Sequence, residues 1–175
     1  MVALTLFAQH GFDDVTVEQV CAEARIAPAT FYRYFGSKEG VVFVYEKGFL
    51  AAASEIGCSV DPDQPTGEQL RSVLRGCSRF FEEQSEMLAL RDEIVVANSA
   101  LLQRTFAVQR KFEATLAAAL ALNRQEAQPS TGTLLDAALC VVVLRLALRS
   151  WRSQRDSSLQ RHAEDVYELL RTRLG

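Results

Sequence analysis

Between Val15 and Lys38 the sequence reads VTVEQVCAEARIAPATFYRYFGSK: two helical stretches, Val17 to Ala24 and Pro28 to Phe35, separated only by Arg25-Ile26-Ala27. Neither stretch can persist alone, because isolated helices shorter than about 12–15 residues are marginal in water. With so short a connection they can bury apolar surface only against each other, at a steep angle, which is the helix-turn-helix layout. Val17, Val20, Cys21 and Ala24 share the inner face of the first helix, Phe31 and Phe35 share a face of the second, and Ile26 plugs the turn. At about 100° per residue, Ala29, Thr30 and Arg33 then point outward, with Pro28 and Tyr32 on the flank.

The rest of the chain supports the same helical reading, since almost every segment has a period of 3.6 and Pro and Gly fall in few places. Thr16-Val17-Glu18-Gln19 is a capping box, and Val15 and Val20 occupy the staple positions. Ser37 is placed to cap a helix from Lys38 to about Ile56, and Gly57 to end it. A Pro- and Asp-rich break follows, then a second capping-box pattern, Thr66-Gly67-Glu68-Gln69, leading the stripe Leu70, Val73, Leu74, Cys77, Phe80 and Phe81. Further helices are expected at about Glu86 to Ala97, Ala100 to Leu122, Thr133 to Gln154 and Leu159 to Arg173, with Val2 to His10 at the start. The fold class is therefore all-α, about nine helices, with domains at 1–48 and 49–175.

From Leu4 to about Ala53 the chain resembles the DNA-binding domain of the TetR family of bacterial transcriptional repressors. The matching residues are Leu6-Phe7 and Gly11-Phe12, Thr16-Val17, Ala29-Thr30-Phe31-Tyr32-Arg33-Tyr34-Phe35 as recognition helix, and Ser37-Lys38-Glu39. The resemblance implies insertion of the second helix of the motif into the major groove of a palindromic DNA operator, by a homodimer. It places Thr16, Tyr32, Tyr34 and Lys38 near phosphates and Pro28, Ala29, Thr30 and Arg33 near base edges. The chemistry agrees: Thr16 and Lys38 stand at helix N-termini, Pro28 and Ala29 suit thymine methyl groups, and Arg33 can pair bidentately with guanine. Each residue has a second reading. Thr16 is first of all a cap, Tyr34 is the better core candidate of the two tyrosines, and Lys38 and Arg33 could be plain solvated charges. The sequence departs from the family at Arg25, where Gly is usual and a left-handed backbone is expected, and at Ala27, which replaces a Ser cap partly offset by Pro28.

Residues 49–175 are expected to form a larger helical ligand-binding and dimerisation domain. The segments Leu88 to Leu102, Leu116 to Leu122 and Leu144 to Trp151 are similar to TetR-type domains that take acyl-CoA-like ligands. Leu88, Leu90, Ile94, Val95, Leu101, Leu102, Phe106 and Phe112, with Phe80 and Phe81, are candidate cavity walls or plain helix packing. Arg79, Arg91 and Arg104 are candidate phosphate donors at the mouth, or surface residues. The last two helices, through Leu135, Leu139, Val142, Val143, Leu146, Trp151, Val166, Leu169 and Leu170, could build a four-helix interface with a second copy or serve as internal core. The function expected is a cytoplasmic repressor released from its operator by a small apolar or amphipathic effector, with helix 4 as the lever. The alternative is a helical interaction module that has lost DNA binding.

An enzyme is disfavoured, because no Gly-rich phosphate loop or G-x-S-x-G is present and neither His10 nor His162 neighbours a nucleophile motif. No cofactor or metal is expected. The four cysteines read as reduced, packed thiols, with a redox pair of Cys58 and Cys77 as the alternative. The apolar run Leu134 to Leu148, interrupted by Asp136 and Arg145, reads as too short for a bilayer, so no membrane partner is expected. Acidic residues outnumber basic ones, 22 to 19, and residues 1–48 hold only Arg25, Arg33, Lys38 and Lys47 against six carboxylates. That balance is unfavourable for a nucleic-acid binder. The family usually carries a basic lead-in before helix 1, so the 175 residues are expected to be a portion of a slightly longer protein.

Overall fold

In a computed structural model the described residues, 1–154 and 157–174, form ten α-helices: α1 Val2–His10, α2 Val17–Ala24, α3 Pro28–Phe35, α4 Lys38–Val42, α5 Glu46–Cys58, α6 Thr66–Glu83, α7 Ser85–Val96, α8 Ser99–Asn123, α9 Thr131–Ser153 and α10 Leu159–Leu174. The helix expected from Lys38 to Ile56 is broken at Phe43–Tyr45. The run Val41-Val42-Phe43-Val44-Tyr45 is β-branched and aromatic throughout, and such residues lose χ1 freedom in a helix. Beyond the break α5 runs through Gly57 to Cys58, so Gly57 does not end it. A Cβ on Gly57 would lie 2.6 Å from that of Ala119, so the glycine serves the close approach of α5 to α8.

Two compact units result: Met1–Gly48 with Gln84–Gln109, and Phe49–Glu83 with Arg110–Gly175. The sequence assigned residues 84–109 to the second domain, yet they pack in the first, where α7 lies against α1. Leu4, Phe7, Val20, Cys21, Phe31, Leu88, Ile94, Val95 and Leu101 are all buried within that unit. Four of the candidate cavity walls, Leu88, Ile94, Val95 and Leu101, are thus core of this unit, whereas Leu102 and Phe106 are exposed.

In the second unit α6, α9 and α10 pack on one another around Val73, Cys77, Ala137, Cys140, Val143, Ala147, Leu159 and Ala163. Phe80, Phe81 and Phe112 gather on Phe49, whose ring lies 4.3 Å from that of Phe112. The capping box expected at Thr66 is not formed. Thr66 is already helical, the Pro65 carbonyl accepts the first amide bonds, and Gln69 is buried with its amide donating to Pro62 and Gln64. Gln69 Oε1 accepts from Arg124, which also pairs with Asp136 at 2.7 Å, so the loop after α8 is tied to α6 and α9 by a buried polar network. Cys58 is exposed while Cys77 is buried, its thiol pushed up to about 12 by desolvation, which disfavours the Cys58–Cys77 redox pair.

By length and composition alone α9 is long and apolar enough to cross a membrane, contrary to the reading of its central run. It carries the buried Asp136–Arg124 pair and supplies much of the unit's core, which is the behaviour of a core helix.

Gly40 is the tightest point of the first unit: a Cβ there would lie 1.8 Å from the Phe35 carbonyl oxygen. Alanine would gain about 1 kcal/mol of helix propensity, far less than the cost of that overlap. Gly40→Ala is expected to lower stability by about 3 kcal/mol or more in urea denaturation, by forcing α3 and α4 apart.

Candidate nucleic-acid interface

The turn between α2 and α3 forms as its residues require. The Thr16 hydroxyl accepts from the Gln19 amide at 3.2 Å, and the Thr16 amide donates to Gln19 Oε1 at 2.8 Å, which completes the capping box. Arg25 takes the left-handed conformation, φ 54° and ψ 44°. Its amide donates to the Ala22 carbonyl and that of Ile26 to the Cys21 carbonyl, the paired bonds of a Schellman motif. Arg25 therefore adopts the backbone for which glycine is usual, at a cost of roughly 1 kcal/mol. Ala27 gives α3 no side-chain cap, and Pro28 stands at N1, where a missing amide hydrogen is harmless.

Phe31 is fully buried, its ring 5.2 Å from that of Phe35 at a tilt of 54° and edge-on to Tyr32 at 5.6 Å. This anchor leaves Pro28, Ala29, Tyr32, Arg33 and Tyr34 exposed and Thr30 partly so. Tyr34, the better core candidate by sequence, is instead the most exposed aromatic of the helix at 71%, with the Arg33 guanidinium 5.1 Å over its ring. Phe31 and Phe35, about one turn apart, already fill the inward face, so Tyr34 is turned out by the helical period. Thr16 is exposed at the α2 N-terminus.

Lys38 is partly buried. Its ammonium donates to the carbonyls of Phe12 at 2.6 Å, Val15 at 3.0 Å and Asp13 at 3.4 Å, and sits 4.5 Å over the Phe12 ring. The backbone amide at the α4 N-terminus, then the Ser37 hydroxyl, hold the Glu39 carboxyl below its ordinary value. Ser37 also caps α4 through the Gly40 amide at 3.1 Å.

Three supports were not read from the sequence, because each joins residues far apart along the chain. Asn98 donates to the Asp13 carboxylate at 3.3 Å while its carbonyl oxygen caps α8 through the amides of Ala100 and Leu101. Arg91 is buried, paired with Asp92 at 2.7 Å and bonded to the Thr105 hydroxyl, with its guanidinium 5.3 Å from the Phe43 ring and 5.2 Å from that of Tyr45. Arg104 lies over Phe43 at 4.4 Å and beside Glu46 at 3.9 Å. Two of the arginines considered as phosphate donors thus grip the break after α4, and Arg79 lies exposed on α6 in the other unit. Among the described residues no group of three or more His, Cys, Asp or Glu side chains gathers to hold a metal ion.

The capped tri-helical core with an outward-facing α3 has the layout of a helix-turn-helix. Residues 2–44 match the family described as bacterial regulatory proteins, tetR family, so this N-terminal part of the chain is similar to that family. Over 76 residues the chain is 36% identical to the HTH-type transcriptional regulator TcmR of Streptomyces glaucescens, covering 41% of this chain and 34% of TcmR. The chain thus matches less than half the length of that relative. The fold is similar to that of the fatty acid degradation regulator FadR from Bacillus halodurans, with TM-score 0.67, 18% identity, and coverage of 97% of this chain and 90% of FadR. It is also similar to that of the TetR family transcriptional regulator PfmR from Thermus thermophilus, with TM-score 0.57, 21% identity, and coverage of 96% and 93%.

The buried Arg91 clamp yields a stability prediction. Arg91→Met is expected to cost about 2–3 kcal/mol in chemical denaturation, since Asp92 and Thr105 lose a charged partner. A double-mutant cycle with Phe43→Leu should return a coupling of about 0.5–2 kcal/mol, and additivity would remove the cation–π contact from the account.

Proposed function

We propose that this chain is a DNA-binding transcriptional regulator that acts in the cytoplasm as a homodimer on a palindromic operator. The observation that carries the reading is the outward face of α3, with Pro28, Ala29, Thr30, Tyr32, Arg33 and Tyr34 presented on a buried Phe31 anchor. Thr16, Tyr32, Tyr34 and Lys38 would meet phosphates, and Pro28, Ala29, Thr30 and Arg33 base edges. Dimerisation is supported by the face of α9 that carries Leu135, Leu139, Val142 and Leu146 at helical spacing; the first is 57% exposed, and Leu169 of α10 is 53% exposed. Val143, considered for the same interface, is buried in the unit's own core. A groove of about 490 Å³ beside this face is lined by Leu139, Leu170 and Tyr167 among others.

The regulator would be a repressor that a small apolar or amphipathic ligand releases. Long-chain acyl-CoA is the first effector to test, and reciprocity requires that operator and effector weaken each other by the same factor. The break at Phe43–Tyr45 means that any signal along α4 and α5 crosses a non-helical joint rather than a continuous lever.

The test is selection of duplexes from a random-sequence pool, followed by gel shift. A wild-type protein that enriches a palindrome supports the reading, and one that enriches nothing favours an interaction module. Arg33→Ala is expected to cost about 1–3 kcal/mol on the selected duplex and to relax preference at one base pair per half-site. Leu135→Glu with Leu146→Glu should turn a dimer into a monomer in sedimentation velocity without loss of helix content.

A further inference from the structure

We infer that Tyr34 is a positioning residue for sequence recognition, whose ring holds the Arg33 guanidinium on the outer face of α3 with its hydrogen-bond donors free. The inference deepens the proposed function and rests on the base-edge role given there to Arg33.

The aromatic residues of α3 divide their work. Phe31 is fully buried and takes the rings of Tyr32 and Phe35 against it, whereas Tyr34 is 71% exposed and stands outside that cluster. Among the described residues the one ring or polar contact of Tyr34 is with Arg33, whose guanidinium carbon lies 5.1 Å from the ring centroid. Helical spacing does not impose this contact, because side chains at i and i+1 diverge by about 100°. The long Arg33 stem has to bend around the helix to reach the ring.

Other arginines that lie over rings are also committed to carboxylates. Arg91, over Phe43 and Tyr45, pairs with Asp92; Arg104, over Phe43, lies beside Glu46; Arg71, over Tyr167, pairs with Glu168. Arg33 makes no hydrogen bond or ion pair among the described residues. A ring attracts the cation through its charge and uses none of the five N–H donors. Arg33 is therefore oriented yet unspent, the state from which a guanidinium can pair bidentately with a guanine edge. Rotamer freedom that pairing would remove is already restricted in the free protein. The Tyr34 hydroxyl is left available to a phosphate, so the two roles do not compete.

Substitution can separate the ring from the hydroxyl. Tyr34→Leu removes both, Tyr34→Phe only the hydroxyl, and neither disturbs the core because the position is exposed. The duplexes are the one selected by wild type and its variants at the base pair that Arg33→Ala identifies. On these, Tyr34→Leu is expected to reduce the preference for that pair about two- to fivefold per half-site. Tyr34→Phe keeps the preference, even where it weakens binding to all the duplexes equally. In the Arg33→Ala background Tyr34→Leu has no further effect on preference. Unchanged preference in Tyr34→Leu, or an equal loss of preference in Tyr34→Phe, overturns the inference. The stack is also tested without DNA. In the NMR spectrum the δ-methylene protons of Arg33 should be shifted upfield by the ring in wild type and in Tyr34→Phe, and return to ordinary positions in Tyr34→Leu. Identical shifts in all three proteins overturn it. If wild type selects no duplex, the proposed function fails and the recognition role with it, while the spectrum still decides whether the ring holds Arg33.

Discussion

The placement of α3 depends on α4, a helix of five residues that could not exist unsupported. Its N-terminus is capped by Ser37 and bound through Lys38 to the loop after α1. Its C-terminus ends at Phe43, whose buried ring lies under Arg104 and beside Arg91. Between these ends Gly40 lets the Phe35 carbonyl approach closer than any side chain would permit. The position of α3 is thus set by backbone contact at its last turn, and the two clamps keep that contact closed.

This arrangement explains why residues 84–109 belong to the first unit. Arg91, Asn98 and Arg104 all reach back to residues before Gly48, and α7 covers the apolar face of α1. A 48-residue module would leave Leu4 and Phe7 short of partners, in keeping with the general weakness of cores that small. The helix-turn-helix here is therefore completed by a segment that arrives from later in the chain.

The local features were legible in the sequence because they are written in neighbouring residues. The Thr16 box, the left-handed Arg25, the uncapped Ala27 and the Ser37 cap each depend on side chains within three or four positions, and each forms. Features set by distant partners were not legible. Thr66-Gly67-Glu68-Gln69 has the letters of a capping box, but Gln69 is recruited by Arg124 and by two loop carbonyls. Tyr34 reads as core only when aromatic character is weighed above helical phase, since Phe31 and Phe35 already claim the inward side. The break after Val42 has a signal in the β-branched run, which the caps on either side outweigh in a reading by sequence.

The acidic balance has a physical consequence once the geometry is known. Adding residues 84–109 brings two arginines and three carboxylates to the first unit, and both arginines are committed at Phe43. Lys38 is partly buried, and the exposed cations of α2, α3 and the turn between them are Arg25 and Arg33. Phosphate binding would then rest mainly on hydroxyls and helix amide ends, which release few counterions and so give a shallow salt dependence. A single unit of this kind would hold a duplex weakly. Joining two copies raises the effective concentration of the second at its half-site and multiplies the affinity without new contacts. Under the proposed function the exposed apolar face of α9 and the scarcity of free charge around α3 would be complementary, because association of two copies would supply affinity that electrostatics does not.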